Sequence, residues 1–282
     1  MTWNTTVWMP GGAVEWEPAP VSLDVSVPQS ARMYSCFLGG KDNFPSDREA
    51  AGKVFAVMPS VEIGARENRR FLHRAVRHVA LAGVDQFVEV GTGFPLAPNV
   101  HEIVQAICPT ALVVYVDNDR MVLSHARALL TSSPEGRTAY VEADLREPEK
   151  LLARLGRVPV DLSRPVALSL VGVLPFLADA DDPAGVVRCL VGALAPGSFL
   201  VLSHGTGDFA PEETRQAVEV YRSSGIGLWV RSKAEIAGLV PAGMRLKEPG
   251  VVPVHRWRPE GDRPSGYRDA EVGVYGLVAR KV

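Results

Sequence analysis

From Gln86 to about residue 240 the sequence alternates short β-forming runs with amphipathic stretches of helical length, and this alternation constrains the fold most. Strand-like runs fall at 86–90, 112–118, 138–144, 166–173 and 198–205. Helical patterns fall between and after them, near 99–107, 120–130, 147–155, 183–194, 211–223 and 232–240. Strands that alternate with helices imply a mostly parallel sheet covered on both faces, joined by right-handed crossovers. The pattern breaks near the end: MRLKEPGVVPV (244–254) and EVGVYGLVAR (271–280) are both strand-like, with no convincing helix between them. An antiparallel pair closing the sheet is expected, and Pro249, Pro253 and Pro259 place that region at an edge.

Upstream, two helices are expected at 46–57 and 60–82, the second with Leu72, Ala75, Val76 and Val79 on one face. Arg66, Arg70, Arg74 and Arg77 on another face read as a solvated surface. Between Ser30 and the Pro45-Ser46 helix entry, Gly39-Gly40-Lys41-Asp42-Asn43 forms a polar loop. It reads either as a helix C-cap with an ordinary turn or as a lid over a ligand. Residues 1–28 form an irregular leader that includes Trp3, Trp8 and Trp16. The expected organisation is therefore leader 1–28, helical segment 29–82 and α/β domain 83–282.

A formal net charge of -2 gives no support for a nucleic-acid binder. The longest apolar run, Leu168 to Ala178, is too short to cross a bilayer, and the N-terminus lacks the pattern of a signal peptide. A cytoplasmic protein is expected. Cys36, Cys108 and Cys189 lack the paired spacing of zinc or redox sites and read as buried thiols.

The chemistry concentrates in QFVEVGTG, Gln86 to Gly93, a strand that ends in Glu89 and then in Gly91 and Gly93. In an open α/β sheet such a turn lies at the carboxyl end of a parallel strand, where ligands bind. Asp117 and Asp144 stand at the ends of the next two strands, so three acids face one crevice. Asp117 is placed to accept hydrogen bonds from ribose hydroxyls, and Asp144-Leu145 could pair with an adenine edge. Each acid could equally cap a helix. The dinucleotide fingerprint G-x-G-x-x-G/A fails at Leu96, which is flanked by Pro95 and Pro98. Glu89 would repel a pyrophosphate yet could accept from an α-ammonium group. S-adenosylmethionine has that ammonium and no phosphate, so the pattern favours it over NAD.

Beyond the glycine turn, the segments SARMYSCFLGGKDNFPSDREA, ENRRFLHRAVRH, VEVGTGFPLAPNVHE, VVYVDND, ADLREPE, SRPVALSLVGVLPF and LAPGSFLVLSHGTGD carry a resemblance. From about Ser30 to Val282 the chain resembles a bacterial S-adenosylmethionine-dependent methyltransferase family long catalogued as of unknown function. The resemblance implies a class I, Rossmann-like α/β fold whose seventh strand runs antiparallel between the fifth and sixth. It implies cofactor contacts from Glu89, Gly91, Thr92 and Gly93, ribose contacts from Asp117 with Asn118 beside the adenine, and adenine contacts from Asp144 and Leu145. It also implies that Arg32, Tyr34, Lys41 and Asn43 cover the cofactor. The chain departs from the family pattern at Ser35-Cys36, where Asp-Tyr is common, and at Pro175, where His is common.

Methyl transfer from a sulfonium needs alignment and a dry pocket more than a dedicated base. If the acceptor is a hydroxyl, His101 and His204 are the candidates to take its proton, although a lone His at a helix start or strand end also serves structure. The expected activity is methylation of a small organic acceptor, with no metal, nucleic-acid or membrane partner. The alternatives are a protein that binds S-adenosylmethionine or S-adenosylhomocysteine with little turnover, and a nicotinamide dehydrogenase.

Overall fold

The structure, a computed structural model, describes residues 24–259 and 266–282. The leader expected at 1–28 therefore lies largely outside the described residues. The described chain begins with three helices, α1 (Ser30–Phe37), α2 (Pro45–Val57) and α3 (Val61–Leu81). The α/β alternation follows: β1 (Gln86–Val90), α4 (Val100–Gln105), β2 (Leu112–Asp117), α5 (Arg120–Leu129), β3 (Arg137–Glu142), α6 (Pro148–Leu155), β4 (Ala167–Val171), α7 (Pro183–Gly192) and β5 (Phe199–Gly205). After α8 (Pro211–Ser223) and α9 (Lys233–Gly238) come β6 (Met244–Leu246), β7 (Val252–Pro253), α10 (Asp269–Val272) and β8 (Val274–Lys281).

The strands form one sheet in the order β3-β2-β1-β4-β5-β8-β6, with β7 also on β8. Strands β1 to β5 pair in parallel, and β8 pairs antiparallel with β5 and β6. The last strand thus inserts between the fifth and sixth, as the resemblance implied. Two expectations change in detail. The run 244–254 is two short strands, because Pro249 and Gly250, at φ 81°, turn the chain between them. The strand expected from residue 271 begins at Val274, since Asp269–Val272 make a helical turn that ends at Gly273.

Period-two alternation explains how the sheet is covered. Val88, Val90, Val114 and Val116 face the apolar layer under α6 and α7. Phe87, Val113 and Tyr115 face the layer that holds α3 and Trp257. Helix α3 buries Phe71, Leu72, Ala75, Val76 and Val79 along one stripe. Trp257 is fully buried and meets Phe71 edge to face at 5.5 Å.

Helix α1 lies within the helical segment expected from residue 29, although its bounds were not given. Met33 and Phe37, one turn apart, are buried with Ala50, Ala51 and Val54 of α2 and Ala217 and Tyr221 of α8. Its C-terminus is closed by Gly39 at φ 73°, and Gly40 N–H donates to Ser35 O at 2.8 Å. The helix-cap reading of this glycine pair therefore holds. The three cysteines are free but half-buried rather than buried. Among the described residues no helix is long and apolar enough to cross a membrane.

Candidate functional site

The parallel strands deliver their carboxyl ends to a crevice of about 390 Å³. Its walls include Glu89 and the Gly91-Thr92-Gly93 turn after β1, Asp117 and Asn118 after β2, and Asp144 and Leu145 after β3. Eight of the residues expected on sequence grounds thus lie around one space. Gly91 has φ 73°, and a Cβ there would sit 2.6 Å from Val173 Cγ2, so the turn needs glycine for conformation and for space.

Asp117 organises the turn. Its Oδ2 accepts from Gly93 N–H at 3.0 Å and its Oδ1 from Asp119 N–H at 2.9 Å. A carboxylate has about four lone-pair positions, so each oxygen keeps one for a hydroxyl. Burial raises the Asp117 pKa, and backbone hydrogen bonds from Asp119, Gly93 and Asn118 oppose that shift. Burial also pushes Glu89 up to about 7, with Arg69 pulling it down and Asp117 pushing it further up. Asp144 is held low, chiefly by Arg146, whose Nη2 donates to Oδ2 at 2.6 Å.

Sequence reasoning missed Arg69. This α3 residue borders the crevice, and its Nη2 donates to the carbonyls of Leu96 and Pro98. Its Nε is buried without a hydrogen-bond partner. It was hidden among neighbouring arginines that have other duties. Arg66 pairs with Glu62 and Arg70 with Glu67 on the same helix, while Arg74 donates to Trp257 O and Val254 O.

The four residues expected as a cover separate. Tyr34 lines the crevice and donates its hydroxyl to Ala65 O at 2.9 Å. Lys41, with Gly39 and Gly40, faces Thr92, Gly93 and Phe94 across a neighbouring cavity of about 340 Å³. Arg32 is only 1% exposed and does not line the crevice; it donates to Val27 O and pairs with Asp47 at 3.3 Å. Asn43 holds its own loop, donating to Gly40 O at 2.8 Å and accepting from Arg48. Arg32 ties α1 to α2 and to Val27, and Asn43 holds its own loop, so neither forms the crevice wall.

Neither candidate histidine borders the crevice. His204 is fully buried, and burial lowers its pKa to about 4. Its Nδ1–H donates to Gly205 O at 2.8 Å, which leaves Nε2 to accept from Arg231 Nη1 at 3.0 Å. Arg231 also holds Leu177 O and Asp179. The lone pair a base would need is already engaged. His101 is 2% exposed, and its Nε2–H donates to Thr131 O while Nδ1 accepts from the Tyr115 hydroxyl at 2.8 Å. The proton-accepting role expected of these two imidazoles therefore gives way to a structural one. Among the described residues no cluster of His, Cys, Asp or Glu is arranged to hold a metal.

The strand order, the inserted antiparallel strand and a ligand crevice beyond a glycine turn define a class I methyltransferase fold. The model of the family described as S-adenosyl methyltransferase matches residues 16–282, and the chain belongs to that family. Its methyl donor is S-adenosylmethionine, and the protein is an S-adenosylmethionine-dependent methyltransferase. A DUF574 family protein from Streptomyces avermitilis MA-4680 is 43% identical, with 92% of this chain and 99% of that one covered and a TM-score of 0.88. A Thermobifida fusca YX protein provisionally assigned as a methyltransferase is 39% identical, with 93% and 98% covered and a TM-score of 0.83. The plantazolicin methyltransferase BpumL shares the fold alone, at 11% identity, 89% and 95% coverage and a TM-score of 0.50. A comparison with curated proteins gave no match.

Proposed function

We propose that the crevice holds S-adenosylmethionine with its amino-acid end between Glu89 and Arg69 and its adenosine along Asp117, Asn118, Asp144 and Leu145. The observation that carries this reading is the meeting of a buried carboxyl and a buried, unpartnered guanidinium N–H beside the glycine turn. An α-ammonium would pair with Glu89, and an α-carboxylate would satisfy Arg69 Nε. Both pairs are charge-assisted and shielded from water. A dinucleotide has no ammonium N–H to donate to Glu89 and places a diphosphate against it, so NAD fits poorly.

The remaining lone pairs of Asp117 would accept from the ribose hydroxyls, while its existing bonds keep Gly93 in place. Tyr34 and the Gly39–Lys41 loop would cover the methionine side. The bound sulfonium supplies an activated methyl group for in-line displacement. The chain's residues supply alignment and exclude water, and the acceptor is a small organic molecule. Isothermal titration should show one S-adenosylhomocysteine bound per chain and no binding of NAD. A flat titration with S-adenosylhomocysteine would rule the reading out.

A further inference from the structure

A second cavity, of about 170 Å³, adjoins the cofactor crevice and shares Tyr34, Asn68, Gly172, Phe176 and Tyr221 with it. Beyond that shared wall its lining is largely apolar, including Phe37, Val54, Met58, Ala217 and Leu228. Glu271 is its one formally charged lining residue, and that carboxylate accepts from Arg268 N–H and Nε–H. Both of those bonds go to one oxygen, and the rest of the lining is mostly apolar, so a charged occupant would give up more hydration than the few polar groups here return. An apolar cavity of about 150 Å³ is large enough to bind benzene, so this one suits a single ring with short substituents.

The shared wall has a directed hydrogen-bond chain. The Tyr34 hydroxyl donates to a carbonyl, Ala65 O, so at 3.2 Å it must accept from Asn68 Nδ2. That fixes the amide, whose Oδ1 accepts from the Ser203 hydroxyl at 2.6 Å. One Asn68 N–H and one Tyr34 lone pair are left over. An acceptor hydroxyl, which is both donor and acceptor, complements that pair. Burial raises the Tyr34 pKa, so its phenol remains protonated as the chain requires.

We infer that this cavity is the acceptor site and that it takes a neutral, single-ring phenol, with its hydroxyl on Tyr34 and Asn68 at the wall shared with the crevice. The inference rests on the cofactor reading of that crevice. In the transfer, the phenol oxygen's lone pair forms the O–CH3 bond. The S–CH3 bond breaks with its electrons passing to sulfur, which leaves neutral S-adenosylhomocysteine, and the hydroxyl proton passes to water.

The test measures binding of phenol, toluene, benzoate and benzylammonium to the full chain, with and without saturating S-adenosylhomocysteine. Phenol should bind about tenfold more tightly than toluene, the size expected from one hydrogen-bonded pair left unmade, and the two ions should bind more weakly than phenol. Ala217→Phe, which fills the cavity away from the crevice, should abolish phenol binding and leave S-adenosylhomocysteine binding intact. Tyr34→Phe should bring phenol and toluene to within about twofold, a hydroxyl-specific loss that a packing role would not produce. Phenol binding that survives Ala217→Phe, equal binding of the ions, or an unchanged phenol preference in Tyr34→Phe would overturn the inference. S-adenosylhomocysteine binding without phenol binding would also overturn it. Phenol binding without S-adenosylhomocysteine binding would instead overturn the cofactor reading.

Discussion

Glu89 carries the clearest residue-scale consequence, because a carboxyl raised to about 7 in the folded chain ionises near 4.5 when unfolded. Between those values the folded state binds more protons, so this group's contribution makes the ligand-free protein less stable as pH rises through the window. Glu89→Gln should therefore stabilise it above pH 7 by on the order of 3 kcal/mol, with no gain below pH 4. Denaturant titrations at pH 8 and pH 4 check this, and an equal effect at both would disprove it. The same proton links pH to cofactor binding. An ammonium prefers ionised Glu89, so S-adenosylhomocysteine affinity should rise from pH 5 to pH 7, with proton release visible as buffer-dependent heats. Asp117 has two duties, and Asp117→Ala removes both. Affinity should fall at least about tenfold, and stability by about 1–3 kcal/mol from the freed Gly93 and Asp119 N–H groups. Unchanged affinity by calorimetry would remove the residue from the site. The place of Asp117 on the crevice could be read from sequence because its strand-end position fixes its surroundings. His204 could not, since its partner Arg231 is 27 residues away and only the fold brings them together.

At the scale of elements, α3 links core and site. Its apolar stripe packs on the sheet through Phe71 and Trp257, and the next faces present Asn68 to Ser203 and Arg69 to the crevice. The stripe is plain in the 3.6-residue spacing of Leu72, Ala75, Val76 and Val79. The use of Asn68 and Arg69 is not, because polar residues beside a buried stripe read alike until a second element meets them. Trp257→Ala should cost about 3–5 kcal/mol, as for other buried aromatics, measured by urea unfolding. A loss under 1 kcal/mol would mean that Trp257 does not anchor the helix to the sheet. The bounds of helix α1 were not legible because SARMYSCF is short and carries polar residues at buried positions. Arg32 and Ser35 are both buried, Arg32 through its pairing with Asp47 on α2.

At the scale of the molecule, strand positions were legible because β1, β2, β4 and β5 are almost entirely buried, largely apolar runs, and the acids Glu89, Asp117 and Asp144 fall near the carboxyl ends of β1, β2 and β3. The insertion of β8 between β5 and β6 was expected from the resemblance; spacing alone indicated only an antiparallel pair. Least legible was the second cavity, whose walls come from α1, α2, α3, α8, α10, the start of β8 and the loops after β4, β5 and α8, segments that meet only in the folded chain. The crevice and the second cavity meet at Tyr34 and Asn68, the wall across which the proposed donor and acceptor would face each other. A crystal structure of the complex with S-adenosylhomocysteine tests the central claim most directly. The ribose hydroxyls should lie within hydrogen-bonding distance of Asp117 and the amino-acid end between Glu89 and Arg69. A ligand seated instead in the cavity beside Gly39–Lys41, or with its adenosine away from Asp117, would contradict the account.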